Sequence, residues 1–314
     1  MSQIFAITFP IYAAIAIGYL IVARGWFSAS EMRVLGKYVL NIALPALLFN
    51  AVASRSIIDV FYPGYMLVFM SGGLATIVVA WAWFTWTGTD KARRAVAVMG
   101  STCPNSGFVG YPVMLLAFPD IAGVILALNM LVENFVLIPI SLVMMDLAKG
   151  GQRLPIARTV ARTILSVFRR PMVIGLLLGL VVSLAKIPVP DVAARLFVML
   201  AASASALSLI VVGGSMVGLK LSGNQWRALQ VAFAKLLLHP SLVALAAFAM
   251  PLLGLAMLPP DMHAAVILSA AMPMFGIYTV LAQEVGLEGV ASIAMLVATS
   301  LASVTLSIFL FLLT

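Results

Sequence analysis

Residues 96–112, VAVMGSTCPNSGFVGYP, and residues 265–281, AVILSAAMPMFGIYTVL, decide the fold of this chain. Both stretches are apolar, yet each carries a proline near its middle, Pro104 in the first and Pro273 in the second. A proline inside a helix removes one backbone hydrogen bond, and its ring clashes with the preceding turn. Each proline is also followed three residues later by a glycine, which loosens the helix further. Two apolar helices are therefore predicted to break at places 169 residues apart.

The composition is that of an all-α membrane protein. Of the 314 residues, 64% are hydrophobic and 9% are charged, whereas soluble domains have about 45–50% apolar and about 25% charged residues. So few polar side chains cannot cover a surface that faces water. The chain must therefore be solvated by lipid, and its structural unit is the spanning helix of roughly 20 apolar residues.

Ten apolar runs are bounded by charged or turn residues and predict ten transmembrane helices. They cover residues 4–23, 38–54, 62–87, 95–118, 121–145, 171–187, 195–219, 228–256, 262–283 and 289–313. No basic residue precedes the first run, so we expect it to remain as a span rather than to be cleaved as a signal peptide.

The basic residues orient these spans. With ten spans, 15 of the 18 Lys and Arg residues fall on one side of the membrane and 3 on the other. Since cytoplasmic loops are rich in Lys and Arg, we expect both termini on the non-cytoplasmic face of a bacterial inner membrane. Topology thus explains the net charge of +8 without a nucleic-acid partner. Lys235 lies two turns inside the span that follows Arg227, and we expect it to snorkel to the cytoplasmic surface.

The spans divide into two halves of five. Residues 1–147 form the first half, residues 148–170 a basic cytoplasmic linker, and residues 171–314 the second half. Because five is odd, a duplicated five-helix unit inserts upside down the second time, which predicts two inverted repeats with broken helices 4 and 9. In residues 156–165, arginines are interleaved with apolar residues, which predicts either a short helix on the anionic inner leaflet or a solvated basic linker.

The two broken helices are the candidate functional site. Irregular backbone is tolerated at bilayer depth only where it lines a cavity or is packed in protein, and paired interruptions in two halves point to a transporter's binding site. The first part of each helix would end in free carbonyls and the second would begin with free N–H groups, which together favour a cation or proton site beside an anion site. The alternative is an ordinary kink, as other prolines also lie in the spans: Pro10, Pro45, Pro139, Pro240 and Pro251.

The motif at the first break resembles a known family. Residues 104–112, PNSGFVGYP, resemble the P-N-[ST]-x-x-x-G-x-P segment of the auxin efflux carriers. Residues 273–284 resemble the second crossover of that family, ending in A-x-E, and residues 41–49, NIALPALLF, resemble its second helix. The likeness covers essentially the whole chain, and the short linker is typical of a bacterial member.

This resemblance implies a fold shared with the bile/arsenite/riboflavin transporter superfamily and with sodium/proton antiporters. Spans 1, 2, 6 and 7 would form a scaffold and the face of a homodimer, and spans 3–5 and 8–10 a mobile domain moving as an elevator. The implied substrates are small organic anions, auxin-like acids such as indole acetate in plants and malate- or malonate-type acids in bacteria. Span 3 departs from the plant members, since it lacks their acidic and basic pair.

The resemblance also implies site residues. Asn105 would hydrogen-bond the substrate carboxylate, and backbone groups near the second proline would complete the pocket. The implied substrate-binding set is Asn105, Pro104, Ser106, Gly107, Pro273, Met274, Phe275, Gly276 and Ile277.

Glu133 is the one acidic residue near the middle of a span. A carboxylate is costly in lipid, so Glu133 should face protein or water. Either it has a coupling or network role with its neighbour Asn134, in which it could carry a proton, or it is a structural partner for the backbone amides of the broken helices. His239 precedes Pro240 and is expected to be a packed, hydrogen-bonded side chain rather than a proton relay.

The sequence offers little for catalysis. It has no P-loop motif, and its two histidines and single cysteine make no metal-ligand cluster, so we expect a transporter rather than an enzyme and no cofactor. Coupling to protons, coupling to sodium and transport driven by membrane potential alone all remain open. The alternative functions are a sodium-coupled organic-anion symporter of the bile-acid type and a non-transporting receptor on the same fold.

Overall fold

The computed structural model describes residues 2–56, 60–148 and 156–313, and this part of the chain contains thirteen α-helices and no strand. The count treats short π-helical turns as parts of the helices that contain them. The helices are α1 Ser2–Ala23, α2 Ala29–Ala53, α3 Pro63–Trp86, α4 Lys91–Thr102, α5 Ser106–Ala117, α6 Ala122–Ala148, α7 Ile156–Val167, α8 Pro171–Leu184, α9 Asp191–Ser215, α10 Gln225–Ala249, α11 Pro260–Ala271, α12 Tyr278–Gln283 and α13 Glu288–Leu313.

Seven of these helices are long and apolar enough to cross a membrane: α1, α2, α3, α6, α9, α10 and α13. The chain is therefore a multi-pass membrane protein. The other three predicted spans take a different form. Residues 95–118 are divided between α4 and α5, residues 262–283 between α11 and α12, and residues 171–187 hold the 14-residue α8. The arrangement of ten spans as inverted repeats stays a prediction.

The start of the second predicted span differs from the prediction for a local reason. The helix of the second predicted span begins at Ala29 instead of residue 38, because Ser28 caps it: its backbone N–H donates to the Glu31 carboxylate at 2.7 Å, and its Oγ accepts from the Glu31 N–H at 3.3 Å. In the linker, a short helix forms as α7, which is one of the two predicted alternatives. Residues 149–155 of the linker lie outside the described residues.

Prolines do not break the helices everywhere they occur. Four π-helical turns, with one extra residue per turn, are each followed within two residues by a proline. The wider turn absorbs the missing N–H and the bulk of the ring, and the helix continues. These prolines are Pro45, Pro112, Pro139 and Pro240. Pro10 lies within the continuous helix α1, and α10 ends at Ala249, just before Pro251 and near the end of its predicted span. Among the described residues, Pro104 and Pro273 lie where the chain leaves helical geometry in the middle of a predicted span, which favours a special role there over an ordinary kink.

By their contacts, residues 1–63, 106–130 and 167–218 form one compact unit. Here α1 and α9 pack with their backbones very close, because a methyl group added at Gly213 would overlap the carbonyl group of Ile15. Gly175 of α8 meets the backbone of Pro45 in α2 in the same way. Small residues of this kind let membrane helices approach each other closely.

Residues 64–105, 131–166 and 219–314 form the second unit. Its helices α3 and α10 also meet at a glycine, since a methyl group added at Gly72 would lie 2.6 Å from the Cα of Val243. The hydroxyl groups of Tyr65 and Ser269 lie 3.1 Å apart in the buried interior and join α3 to α11.

The first unit contains α5 and the first part of α6, whereas the resemblance assigns spans 4 and 5 entirely to a mobile domain. The physical reason lies in the contacts of α5 with α1 and α9. One of them is a hydrogen bond in which the Ser208 hydroxyl donates to the carbonyl oxygen of Phe108 at 2.9 Å. Spans 4 and 5 are thus divided between the two units at residues 105 and 130.

Candidate functional site

The two predicted breaks meet. Pro104 and Met274 form an isolated antiparallel bridge. On one side of it the N–H of Asn105 donates to the carbonyl oxygen of Pro273 at 2.8 Å, and on the other the N–H of Phe275 donates to the carbonyl oxygen of Cys103 at 3.1 Å. The two interrupted helices, from opposite halves of the chain, thus supply backbone hydrogen-bond partners to each other at the point where each loses its own helical hydrogen bonds.

The extended backbone at the breaks has a clear origin. Proline disfavours helical geometry in the residue before it, and both Cys103 and Met272 adopt extended conformations, with ψ of 108° and 148°. The segment is also buried: Cys103 and Met272 are inaccessible, and Asn105 is 6% exposed. Buried irregular backbone needs hydrogen-bond partners, which explains why the two breaks pair.

The second break does not match the expectation fully. Of its five predicted site residues, Pro273, Met274 and Phe275 are buried, but Gly276 and Ile277 are exposed, Ile277 to 44%. The helix that follows, α12, has only six residues. Its dipole is therefore much smaller than that of α5, which has 12 residues and begins immediately after Asn105. Of the two expected positive poles, the one after the first break is the stronger.

Ser106 and Gly107 are the predicted site residues that belong to the first unit. Both are buried in the opening turn of α5. A methyl group added at Gly107 would lie 3.0 Å from a methyl carbon of Leu44 in α2, so the glycine allows close packing there.

Glu133 and Asn134 are buried, each to 2% exposure, in the π-helical turn Glu133–Leu137 of α6. The carboxylate therefore faces protein rather than lipid, as its cost in hydrocarbon requires. The same part of α6 approaches α3, where the side chain of Leu137 lies against Gly73. π-Helical turns inside α-helices often mark functional sites.

Lys235 is the residue that sequence reasoning placed wrongly. It does not snorkel, because its side chain is fully buried in the π-helical turn Ala234–Leu238. Its Nζ donates to the carbonyl oxygen of Ala270 at 2.6 Å and lies 2.7 Å from Nδ1 of His239. The sequence contained an indication that Lys235 is buried. It lies eight residues from Arg227, which is about 12 Å along a helix. The apolar run around it also contains a histidine.

His239 is a packed, hydrogen-bonded histidine, as predicted. It is fully buried, and its ring lies 6.2 Å from that of Phe69 between centroids, with planes 30° apart. An ammonium group has no lone pair, so Lys235 must donate to Nδ1, and the proton of the neutral imidazole then sits on Nε2. Nε2 is buried and has no hydrogen-bond partner among the described residues.

Polar groups surround the paired breaks in the second unit. The Cys103 thiol lies 3.6 Å from the Ser141 hydroxyl, which itself donates to the carbonyl oxygen of Leu137, so the thiol is the donor. Glu133 and Lys235 are also buried in this unit. The hydroxyl groups of Thr102 and Tyr278 are buried without a partner among the described residues. The interior of this unit therefore offers hydrogen-bonding groups at the level of the breaks.

A cavity of about 650 Å³ lies elsewhere in the second unit. It is lined by the loops before α4, α10 and α13 and includes Arg93 and Arg227. None of the predicted substrate residues lines it. Among the described residues, no three His, Cys, Asp or Glu side chains come together as a metal site would require.

The chain is similar to known proteins over most of its length. A family described as "Membrane transport protein" matches residues 3–310. A protein of Escherichia coli (strain K12) named "Uncharacterized transporter YfdV" is 26% identical over 239 residues, which are 74% of each chain. A protein of Rhizobium meliloti (strain 1021) named "Putative malonate transporter" is 26% identical over 311 residues, 97% of this chain and 93% of that protein.

Proposed function

This chain belongs to the membrane transport protein family, and from that premise we propose that it carries small organic anions across the membrane. The family match bears out the resemblance to the auxin efflux carriers and identifies a transport protein rather than an enzyme. The proposed substrates are mono- or dicarboxylates such as malonate and malate. The Rhizobium meliloti relative, which is named as a putative malonate transporter and aligns over 97% of this chain, supports that substrate class.

The observation that carries the proposal is the hydrogen-bonded pairing of the two breaks at Asn105 and Pro273. Breaking two membrane helices costs backbone hydrogen bonds, and a purely structural helix would gain nothing from it. Carriers use such interruptions to present polar backbone and side-chain groups to a substrate at mid-membrane. The two breaks are buried together in one unit, an arrangement that suits a substrate-binding site.

Asn105 is the proposed carboxylate ligand. It directly precedes α5, whose N-terminus is a partial positive pole, and its side-chain amide can donate two hydrogen bonds. The backbone of Pro104 and of Pro273, Met274 and Phe275 would form the adjoining wall, and Gly276 and Ile277 its exposed rim. Ser106 and Gly107 are proposed to take part through the backbone of the first turn of α5.

Glu133 and Asn134 are proposed as coupling or network residues behind this wall. The burial of both side chains supports the assignment. The burial of Lys235 in the same unit favours the network role for Glu133, because a buried carboxylate and a buried ammonium stabilise each other as counter-ions.

The proposed architecture has ten spans in two inverted repeats. The seven long helices, the two broken ones and α8 would supply them. The charge distribution supports an orientation with both termini outside the cytoplasm of a bacterial inner membrane. A scaffold that forms a homodimer and a mobile part that moves as an elevator would provide alternating access, as the family resemblance implies.

Counterflow in proteoliposomes tests the proposal. Vesicles that contain the purified protein are loaded with unlabelled malonate and then given labelled malonate, with malate or indole acetate as competitors. We expect label to accumulate, malate to compete, and protein-free vesicles to remain empty. Binding of malonate without exchange would instead support a receptor on this fold, and neither binding nor exchange for any of these acids would overturn the organic-anion assignment.

A further inference from the structure

We infer that the ammonium group of Lys235 is a resident cation of the broken helix α11, taking the place in which a sodium-coupled carrier would hold its ion. The consequence is a protein that needs no sodium. The absence of a sodium requirement in transport rests on the proposed function. The place of the Lys235 ammonium at the end of α11 does not, because it is a feature of the second unit alone.

The first support is the position of Lys235 at the end of α11. This helix ends at Ala271, just before the break. Carbonyl groups in the last turn of a helix have no intrahelical donor and form a partial negative pole. The Lys235 ammonium donates to one of them, that of Ala270, at 2.6 Å. A positive charge thus stands where the helix dipole favours a cation.

The second support is the chemistry of the other neighbours. Nδ1 of His239 accepts from the same ammonium at 2.7 Å, and the Glu133 carboxyl group is buried in the same unit. The neutral His239 ring is a hydrogen-bond acceptor here, and Glu133 is an acidic residue. The surroundings of the Lys235 nitrogen are therefore those of a cation.

The third support is that three carbonyl oxygens at the breaks already accept hydrogen bonds. The carbonyl oxygens of Cys103 and Pro273 accept the hydrogen bonds that pair the breaks, and that of Ala270 accepts from Lys235. A sodium ion at this place would need several such oxygens and would face the like charge of the ammonium at short range. Lys235 satisfies the negative pole without an ion that has to be bound and released.

Melting temperatures in sodium and in choline test the inference without any transport substrate. The purified wild-type protein is melted in sodium chloride and in choline chloride at equal ionic strength, and we expect the two melting temperatures to agree within about 1 °C. A sodium-specific rise of about 3 °C or more would mean that a sodium site is open and would overturn the inference. This arm needs no variant and so does not depend on a variant that folds.

Three variants separate charge from packing. Lys235→Ala removes the cation and leaves space, and we expect its melting temperature to fall by about 5 °C or more in choline and to recover in part with ethylammonium or sodium. Lys235→Met fills the space without charge and should stay low in every salt. Lys220→Met, at a lysine with 74% side-chain exposure, should behave as wild type. A Lys235→Met protein as stable as wild type would show that packing alone matters and would overturn the inference.

Malonate counterflow in vesicles with and without sodium forms the last arm. Equal exchange rates in sodium and choline are expected, and exchange that requires sodium would overturn the inference. If the wild type exchanges no malonate, the proposed function fails, whereas the melting experiments still decide whether Lys235 is a resident cation.

Discussion

The backbone N–H of Asn105 donates to the carbonyl oxygen of Pro273 across 2.8 Å. Each of these residues lies in a break of its own helix, and they are 168 positions apart in the chain. The bond uses the backbone of Asn105 and not its side chain. It also makes the geometry of each break depend on the other, so that changes near either should affect both.

The first prediction concerns the amide of Asn105. A hydrogen bond to a charged group contributes about 1.5–3 kcal/mol, so Asn105→Ala should weaken carboxylate binding about tenfold to a hundredfold. Asn105→Asp should be worse, because it places a like charge against the substrate. Malonate binding to the purified variants, measured by calorimetry, checks both, with Asn41→Ala at an exposed position as the control.

A purely structural role for Asn105 gives the opposite pattern. If it only caps the first turn of α5, Asp should replace it well and Ala should lower the melting temperature. Normal affinity in Asn105→Asp together with a reduced melting temperature in Asn105→Ala would rule out the substrate contact.

The second prediction concerns the close approach at Gly100 in α4. A methyl group there would lie 2.5 Å from the hydroxyl oxygen and 2.6 Å from the Cζ atom of Tyr278, whose ring is fully buried. Gly100→Ala should therefore destabilise the fold by about 1–3 kcal/mol, as overpacking does, and should be seen as a lower melting temperature. Gly36→Ala is the matched control: Gly36 is also helical and buried, but the added methyl would lie 3.4 Å from Val211. Equal effects of the two substitutions would contradict the packing argument.

The third prediction is a double-mutant cycle between Glu133 and Lys235. Removing one charge leaves the other buried without its counter-charge, whereas removing both leaves neither. Glu133→Gln and Lys235→Met should each lower the melting temperature, and the double variant should be more stable than the sum of the two losses predicts, by about 0.5–3 kcal/mol. Additive losses would mean that Glu133 does not balance Lys235. An uptake rate whose pH dependence is flattened in Glu133→Gln alone would favour the proton-coupling role instead.

The fourth prediction is topological. Reporters fused after residue 314 and inserted within residues 150–165 should lie on opposite faces of the membrane, since 14 of the 18 basic residues then fall on the cytoplasmic side once the buried Lys235 is left out. Alkaline phosphatase and green fluorescent protein fusions report the two faces. If both positions prove cytoplasmic, the number of spans is not ten.

Much of the candidate site was predictable because it depends on local chemistry. Proline at 104 and 273 acts on its own helix through a missing N–H and a bulky ring, so the places where α4 and α11 end could be read directly. The burial of Glu133 followed from the cost of a carboxylate in hydrocarbon. The sequence did not predict that the helices continue through Pro139 and Pro240. Whether a π-helical turn forms before a proline depends on the helices packed around it.

The sequence by itself determined that this protein lies in a membrane, that it is helical, and where two of its helices are interrupted. Hydrophobicity and the geometry of proline fix these features residue by residue. Only the tertiary structure decided that the breaks at Asn105 and Pro273 hydrogen-bond to each other and that Lys235 turns inward to Ala270. The direction of a side chain within a π-helical turn departs from the 3.6-residue period. Its partner, moreover, comes from a helix 35 residues farther along the chain, which no local pattern specifies.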